Sequence, residues 1–249
     1  MAAARGHEVE LHEADRRVGG QVLLAERLPG RAEFGGAITN LEGEARRSGA
    51  PRPGGVAGGR RGRGRRGPGR GGTRTGARPR GAKLELIDDP VVLDAWEVIR
   101  GSEVPRGRIV VADWRGDWIG IGVALRLAGQ GRKVTLCVTG FAAGEHLQQY
   151  VRSALLGQAV RARVDIVPNV RLYGADSDTV YLQHTLTEEP VLLDGVAAVV
   201  LAQGHVPVSE VDPVAAGIAA GQVFAIGDCV TPRTVEEAVL EGLTVSAGL

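Results

Sequence analysis

The stretch 108–138 constrains the fold most. It reads as a β-branched run (108–112), a glycine-rich turn (116–122), a helical run (123–129) and a second apolar run (133–138). Parallel strands need a crossover of a dozen or more residues, usually a helix, so this order predicts a βαβ unit with strands buried on both faces. Similar alternation on either side predicts an α/β chain with parallel strands, organised as two such units. The first unit would hold a strand over 8–12, a turn at Gly19-Gly20 and a helix over 31–47. Beyond the βαβ run come a polar helix over 146–156, strands over 164–168, 179–184, 197–202 and 222–226, and a closing helix over 234–243. Thr234 followed by Glu237 gives that last helix the spacing of a capping box.

At 249 residues the chain is long enough for one large or two small cores. Its longest purely apolar run, Val196–Ala202, is far short of the roughly 20 residues a bilayer-spanning helix needs, and no apolar signal core follows Met1. A cytoplasmic location is expected. The two cysteines, Cys137 and Cys229, lie far apart and offer neither a C-x-x-C metal site nor a disulfide framework. His146, His184 and His205 have no serine or cysteine in a nucleophile context, so a hydrolytic triad has no support.

The net charge of +1 conceals an asymmetry: residues 51–81 hold 10 Arg, 12 Gly and 4 Pro with no acid, leaving 20 basic against 29 acidic groups elsewhere. Three readings of this tract stand side by side. Clustered arginine gives phosphate affinity, but no aromatic residue is present to stack on a base, which disfavours nucleic acid. Glycine and proline without apolar residues also suit an irregular linker. The third is a segment translated out of phase from GC-rich DNA, in keeping with a chain whose only lysines are Lys83 and Lys133. Each predicts that 51–74 is irregular.

Chemistry concentrates in a few short motifs. A strand ending at Glu13 puts a carboxylate where a doubly wound nucleotide fold grips an adenosine ribose. Its sequel, Glu13-Ala14-Asp15-Arg16-Arg17-Val18-Gly19-Gly20-Gln21, resembles the second-strand motif of FAD-dependent pyridine-nucleotide reductase domains. Thr75-Gly76-Ala77-Arg78-Pro79 is similar to their crossing strand, and Phe224-Ala225-Ile226-Gly227-Asp228 to their late F-x-x-G-D motif. In the latter, a glycine lets the backbone approach a diphosphate and an aspartate accepts hydrogen bonds from ribityl or ribose hydroxyls. The continuation from Thr231 to Gly242 resembles the C-terminal part of the 2,4-dienoyl-CoA reductase and trimethylamine dehydrogenase group of the old yellow enzyme superfamily, the NADH:flavin oxidoreductases.

The resemblance implies two doubly wound, Rossmann-like nucleotide-binding folds, the second inserted in the first: an FAD-type domain from 1–95 plus 206–249 and an NAD(P)-type domain from 96–205. Glu13, Arg17, Gly20, Gln21, Thr75, Gly76, Gly227 and Asp228 would hold FAD or its ADP moiety. Gly116 and Gly120 would face NAD(P)H. In the family, a TIM barrel with FMN and an iron–sulfur cluster precedes these domains, as do the first strand and its G-x-G-x-x-G loop, so the chain is expected to correspond to the portion after them. The function implied is electron transfer between a flavin and NAD(P)H or another redox partner. The second turn, Asp113-Trp114-Arg115-Gly116-Asp117-Trp118-Ile119-Gly120, departs from G-x-G-x-x-G by placing two carboxylates where a phosphate wants positive potential. The following strand ends Val138-Thr139, with no acid for a ribose hydroxyl. A non-catalytic nucleotide-fold module without cofactor is the alternative.

Overall fold

The computed structural model describes residues 1–13, 15–50, 76–208 and 223–249, together with the backbone of 54–55 and 71–73. The expectation that 51–74 is irregular therefore falls largely on residues outside those described. The chain divides into two compact units, one of 1–26, 32–78 and 205–249, the other of 27–31 and 79–204. In chain order the elements before the second unit are β1 (His12–Glu13), α1 (Val22–Ala25), α2 (Glu33–Arg47), β2 (Gly54–Gly55), β3 (Gly71–Thr73) and β4 (Ala77–Pro79). Next come β5 (Glu85–Leu86), β6 (Val92–Asp94), α3 (Ala95–Arg100), β7 (Arg108–Asp113), α4 (Trp118–Gly129), β8 (Lys133–Val138) and α5 (Gln149–Arg161). The remainder are β9 (Asp165–Val167), β10 (Val170–Ala175), β11 (Val180–His184), β12 (Pro190–Leu193), β13 (Val196–Ala202), β14 (His205–Pro207), β15 (Val223–Ala225) and α6 (Val235–Ala247).

In the second unit a five-stranded, all-parallel sheet has the order β6-β13-β7-β8-β9. Its central strands are near-continuous apolar runs because both faces are covered; Ile109, Val110, Val111, Val134 and Leu136 are buried. The crossover helix α4 packs on β7 and β8 and is itself buried from Gly120 to Leu125, so it carries apolar residues nearly all round. Helix α3 opens with a capping box, in which the Asp94 carboxylate accepts the Glu97 N–H at 2.9 Å and Glu97 accepts the Asp94 N–H at 2.7 Å.

A second sheet contributes the other layer. Strands β10, β11 and β12 form an antiparallel meander, with β5 added in parallel beside β10. Val170, Ala175, Val180 and Leu182 from this meander share a core with Val110, Cys137, Val196 and Val199 of the parallel sheet. Two of its strands, β10 and β12, are absent from the sequence expectation. The boundary expected near Ala95 falls instead between Arg78 and Pro79, because β5 pairs with β10 and β6 pairs with β13. Residues 27–31 join the second unit for a similar reason. Leu28 lies so close over Gly122 that a Cβ there would come within 3.0 Å of it, and Arg126 Nη1 on α4 donates to the Arg27 carbonyl at 3.0 Å.

The first unit is built from short parallel pairings, β1 with β2 and β3 with β15, together with the pair β4–β14. The strand expected over 8–12 is present only as His12–Glu13, and α2 begins at Glu33. Helix α6 begins where the capping-box spacing places it: the Thr234 N–H donates to Glu237 Oε2 at 3.0 Å, and the Thr234 hydroxyl bonds to the same carboxylate, holding the Glu237 carboxyl below its ordinary range. Among the described residues no helix is long and apolar enough to cross a membrane.

Candidate functional site

In the first unit the two motif regions meet. Gly19 and Gly20 both have positive φ, 128° and 49°, a backbone course that side chains other than glycine rarely follow. Their carbonyls accept the first hydrogen bonds of the α1 turn, from Val22 N and Leu23 N. Gly19 is hemmed in by Ile38 and Leu23, whereas the space above Gly20 is open. Gln21, at the start of α1, donates from Nε2 to Asp228 Oδ2 at 2.8 Å across 207 residues of sequence.

Asp228 is fixed from its other side as well. Its Oδ1 accepts the Arg233 N–H at 3.1 Å, just ahead of α6. Gly227, with φ of 73°, donates its N–H to the carboxylate of Glu241 on α6, and Glu241 is also ion-paired with Arg233. The short 3-10 turn Gly227–Cys229 is thus tied to α6 through the Gly227 N–H and to the residues just ahead of it through the Asp228 side chain. Glu241 and Arg233 are functional supports that sequence reasoning did not single out. The available signal is that Glu241 follows Glu237 by one helical turn on the same face.

Other candidates are engaged elsewhere. Glu13 accepts the Asp15 N–H on Oε1 at 3.1 Å, closing its own turn. Arg17 Nη1 lies 3.0 Å from Glu26 Oε1. Gly76 has φ of 78°, open space on the side a Cβ would take, and a carbonyl that accepts the Val208 N–H. Thr75 lies outside the described residues. Among the described residues no cluster of three or more histidine, cysteine, aspartate or glutamate side chains could hold a metal ion.

The second turn has a different character. Asp113, the last residue of β7, is 3% exposed. Its Oδ1 accepts the N–H groups of both Arg115 and Gly116 at 2.9 Å, while Oδ2 is buried with no hydrogen-bond partner. Burial pushes its carboxyl up to about 7; the neighbouring Asp117 carboxylate adds to this, and the two N–H groups oppose it. A Cβ at Gly120 would overlap the Asp113 carboxyl. Of the two glycines expected to face NAD(P)H, Gly116 thus gives its N–H to Asp113 and Gly120 lies against the Asp113 carboxyl. Asp117 caps α4 by accepting the Ile119 N–H at 2.9 Å, which starts the helix five residues before the expected Val123. Trp118 lies under the Arg31 guanidinium, 3.5 Å from the ring centroid, so its face is already stacked.

No protein-family profile and no curated protein matches the chain. Solved structures do. Histamine dehydrogenase from Rhizobium sp. 4-9 aligns over 100% of this chain and 41% of its own, with a TM-score of 0.83 at 18% identity. Thioredoxin reductase from Lactococcus lactis aligns over 99% of this chain and 91% of its own, with a TM-score of 0.67 at 18% identity. A flavoprotein disulfide reductase from Escherichia coli covers 99% of this chain and 66% of its own, with a TM-score of 0.60 at 16% identity. At such identities the likeness establishes the fold: a nucleotide-binding-type α/β architecture with a parallel sheet, shared over essentially the whole chain. The chain spans less than half the length of the histamine dehydrogenase chain.

Proposed function

We propose that this chain is the dinucleotide-holding part of a flavin-dependent oxidoreductase, with FAD or its ADP moiety bound by the first unit. The observation that carries the reading is the 2.8 Å hydrogen bond from Gln21 to Asp228, which joins the Gly19-Gly20-Gln21 turn to the Gly227-Asp228 turn. Open space above Gly20 and Gly76, both at positive φ, fits a ligand approaching the backbone closely.

In this reading Asp228 accepts hydrogen bonds from ligand hydroxyls while Gln21 and the Arg233 N–H hold its carboxylate in place. Glu13 turns from Asp15 to the adenosine ribose, Arg17 supplies positive charge, and Thr75 with Gly76 lines the approach to the flavin. When bound, the isoalloxazine supplies the electron transfer; the protein's part is to position it and set its surroundings. Neighbours in fold that are themselves named as a dehydrogenase and reductases support oxidoreductase chemistry. Substrate selection then belongs to a further domain or partner chain, such as the family's barrel with its FMN and iron–sulfur cluster. The alternative of a structural module without cofactor is favoured by one observation, the Asp113 carboxyl inside the second turn, and that observation concerns the second unit alone.

The test is a titration of the purified chain with FAD and with ADP, followed by flavin absorbance and calorimetry. Saturable binding is expected, weakened roughly tenfold or more in Asp228→Ala, since a hydrogen bond involving a charged group contributes about 1.5–3 kcal/mol. Absence of binding, or equal binding by wild type and variant, would overturn the reading.

A further inference from the structure

We propose that Asp113 stands in for a ligand phosphate at the turn between β7 and α4, and thereby bars nicotinamide dinucleotides from the second unit. The turn lies at the carboxyl end of a central parallel strand, where open α/β sheets take their ligands. A dinucleotide there is held by backbone N–H groups of the turn and by the helix N-terminus. Three of these donors already have an internal acceptor. Asp113 Oδ1 takes the N–H groups of Arg115 and Gly116, and Asp117 Oδ1 takes that of Ile119.

The space is taken as well as the donors. Gly120 has no side chain in the place where its Cβ would stand, and the Asp113 carboxyl fills that room from within. On the outer side Glu145 and His146 pack against Gly116, each placing a side-chain atom 3.2 Å from where its Cβ would be. His146 bonds to the turn twice, its N–H to the Gly116 carbonyl at 3.0 Å and its ring Nδ1 to the Arg115 carbonyl at 2.8 Å. Arg115, within the turn, lies against Asp117 at 3.3 Å. A phosphate would have to displace Asp113 and enter beside Asp117 and Glu145. A strand–turn–helix with two well-placed glycines is here closed by its own side chains.

All three tryptophans, Trp96, Trp114 and Trp118, belong to the second unit, and the last two flank this turn. Titrating the full chain with NADH and NADPH while following tryptophan emission therefore reads this turn. Wild type is expected to show no saturable change up to millimolar nucleotide. Asp113→Ala, which frees two N–H donors and empties the space, is expected to gain saturable binding, roughly tenfold or more above wild type. Asp113→Asn, which keeps the filling group, is expected to behave as wild type.

Saturable binding by wild type that shifts the Arg115 and Gly116 N–H signals, or a folded Asp113→Ala that gains no binding over wild type, overturns the proposal. If Asp113→Ala does not fold, amide NMR on the wild type decides: the Arg115 and Gly116 N–H signals should be indifferent to NADH, and a saturable shift in them refutes the assignment. Flavin binding by the first unit is read separately through Asp228→Ala, so the two proposals stand or fall independently.

Discussion

The two units divide chemistry and packing unequally. Among the described residues, the first unit buries only Ile38, Ala50 and Cys229 of its apolar side chains, yet it brings Gln21 and Asp228 into contact and leaves Gly20 and Gly76 open. The second unit buries a sheet, a helix and a meander, and fills its own glycine turn with Asp113. A nucleotide turn needs positive potential and unpaired N–H groups, both of which work against local stability until a ligand arrives. Where an internal carboxyl meets those needs, the turn becomes part of the core. The same strand–turn–helix geometry can therefore serve as a site or as packing, according to which group accepts the N–H hydrogen bonds.

The largest effect expected from this contrast is on the pH dependence of the second unit. The Asp113 carboxyl is raised from 3.8 to about 7, so the folded state favours its neutral form. Its contribution is complete below about pH 4 and is lost as pH rises through about 7, a change of about 4 kcal/mol by linkage. Denaturant melts followed by tryptophan emission should show the second unit weakening over that interval, and Asp113→Asn should flatten the slope. A second unit that gains stability between pH 5 and 7 would break the comparison.

Next in size is the core itself. Leu136 on β8 is fully buried, and Leu136→Ala should cost the second unit about 3 kcal/mol through lost transfer energy and a residual cavity. Chemical denaturation measures this, and a cost below about 1 kcal/mol would show that the parallel sheet is less tightly packed than described. Smaller still is the capping box of α3: Asp94→Ala should cost about 1 kcal/mol, while Asp94→Ser recovers most of it. In the first unit Arg17→Ala removes an exposed ion pair with Glu26 and should change stability by about 0.5 kcal/mol or less, read from a thermal melt.

Much of the second unit was legible in the sequence. Strand β8 falls on the expected residues, and β7 and β13 differ from expectation by one residue, because strands buried on both faces are written as unbroken apolar runs. The start of α4 was hidden: Gly120 and Gly122 read as turn residues, although they serve as close-contact positions against Asp113 and Leu28 within the helix. The meander was legible only in part, since β10 and β12 are short and mix exposed with buried or half-buried positions. In the first unit, β1 needs a partner strand to extend, and only Gly54–Gly55 pairs with it among the described residues.

The candidate site was legible as motifs but not as contacts. Gln21 and Asp228 stood out from their neighbours in sequence, and only the fold shows one donating to the other. Glu241 and Arg233 lie within the 231–242 stretch that carries the resemblance, but nothing in it marks them individually, because their work is to hold the backbone and side chain of that turn. Asp113 was visible as an acid where a phosphate would be unwelcome. That its carboxyl takes the N–H groups a phosphate would need depends on the turn closing back on the strand end, which spacing alone does not specify.

Amide NMR of the full chain titrated with ADP, then with NADH, tests the division between the units most directly. The account predicts saturable ADP shifts at Gly20, Gln21, Gly227 and Asp228 and none from NADH at Arg115, Gly116 or Gly120. Saturable NADH shifts at the second turn, or no ADP response at the first, would contradict it.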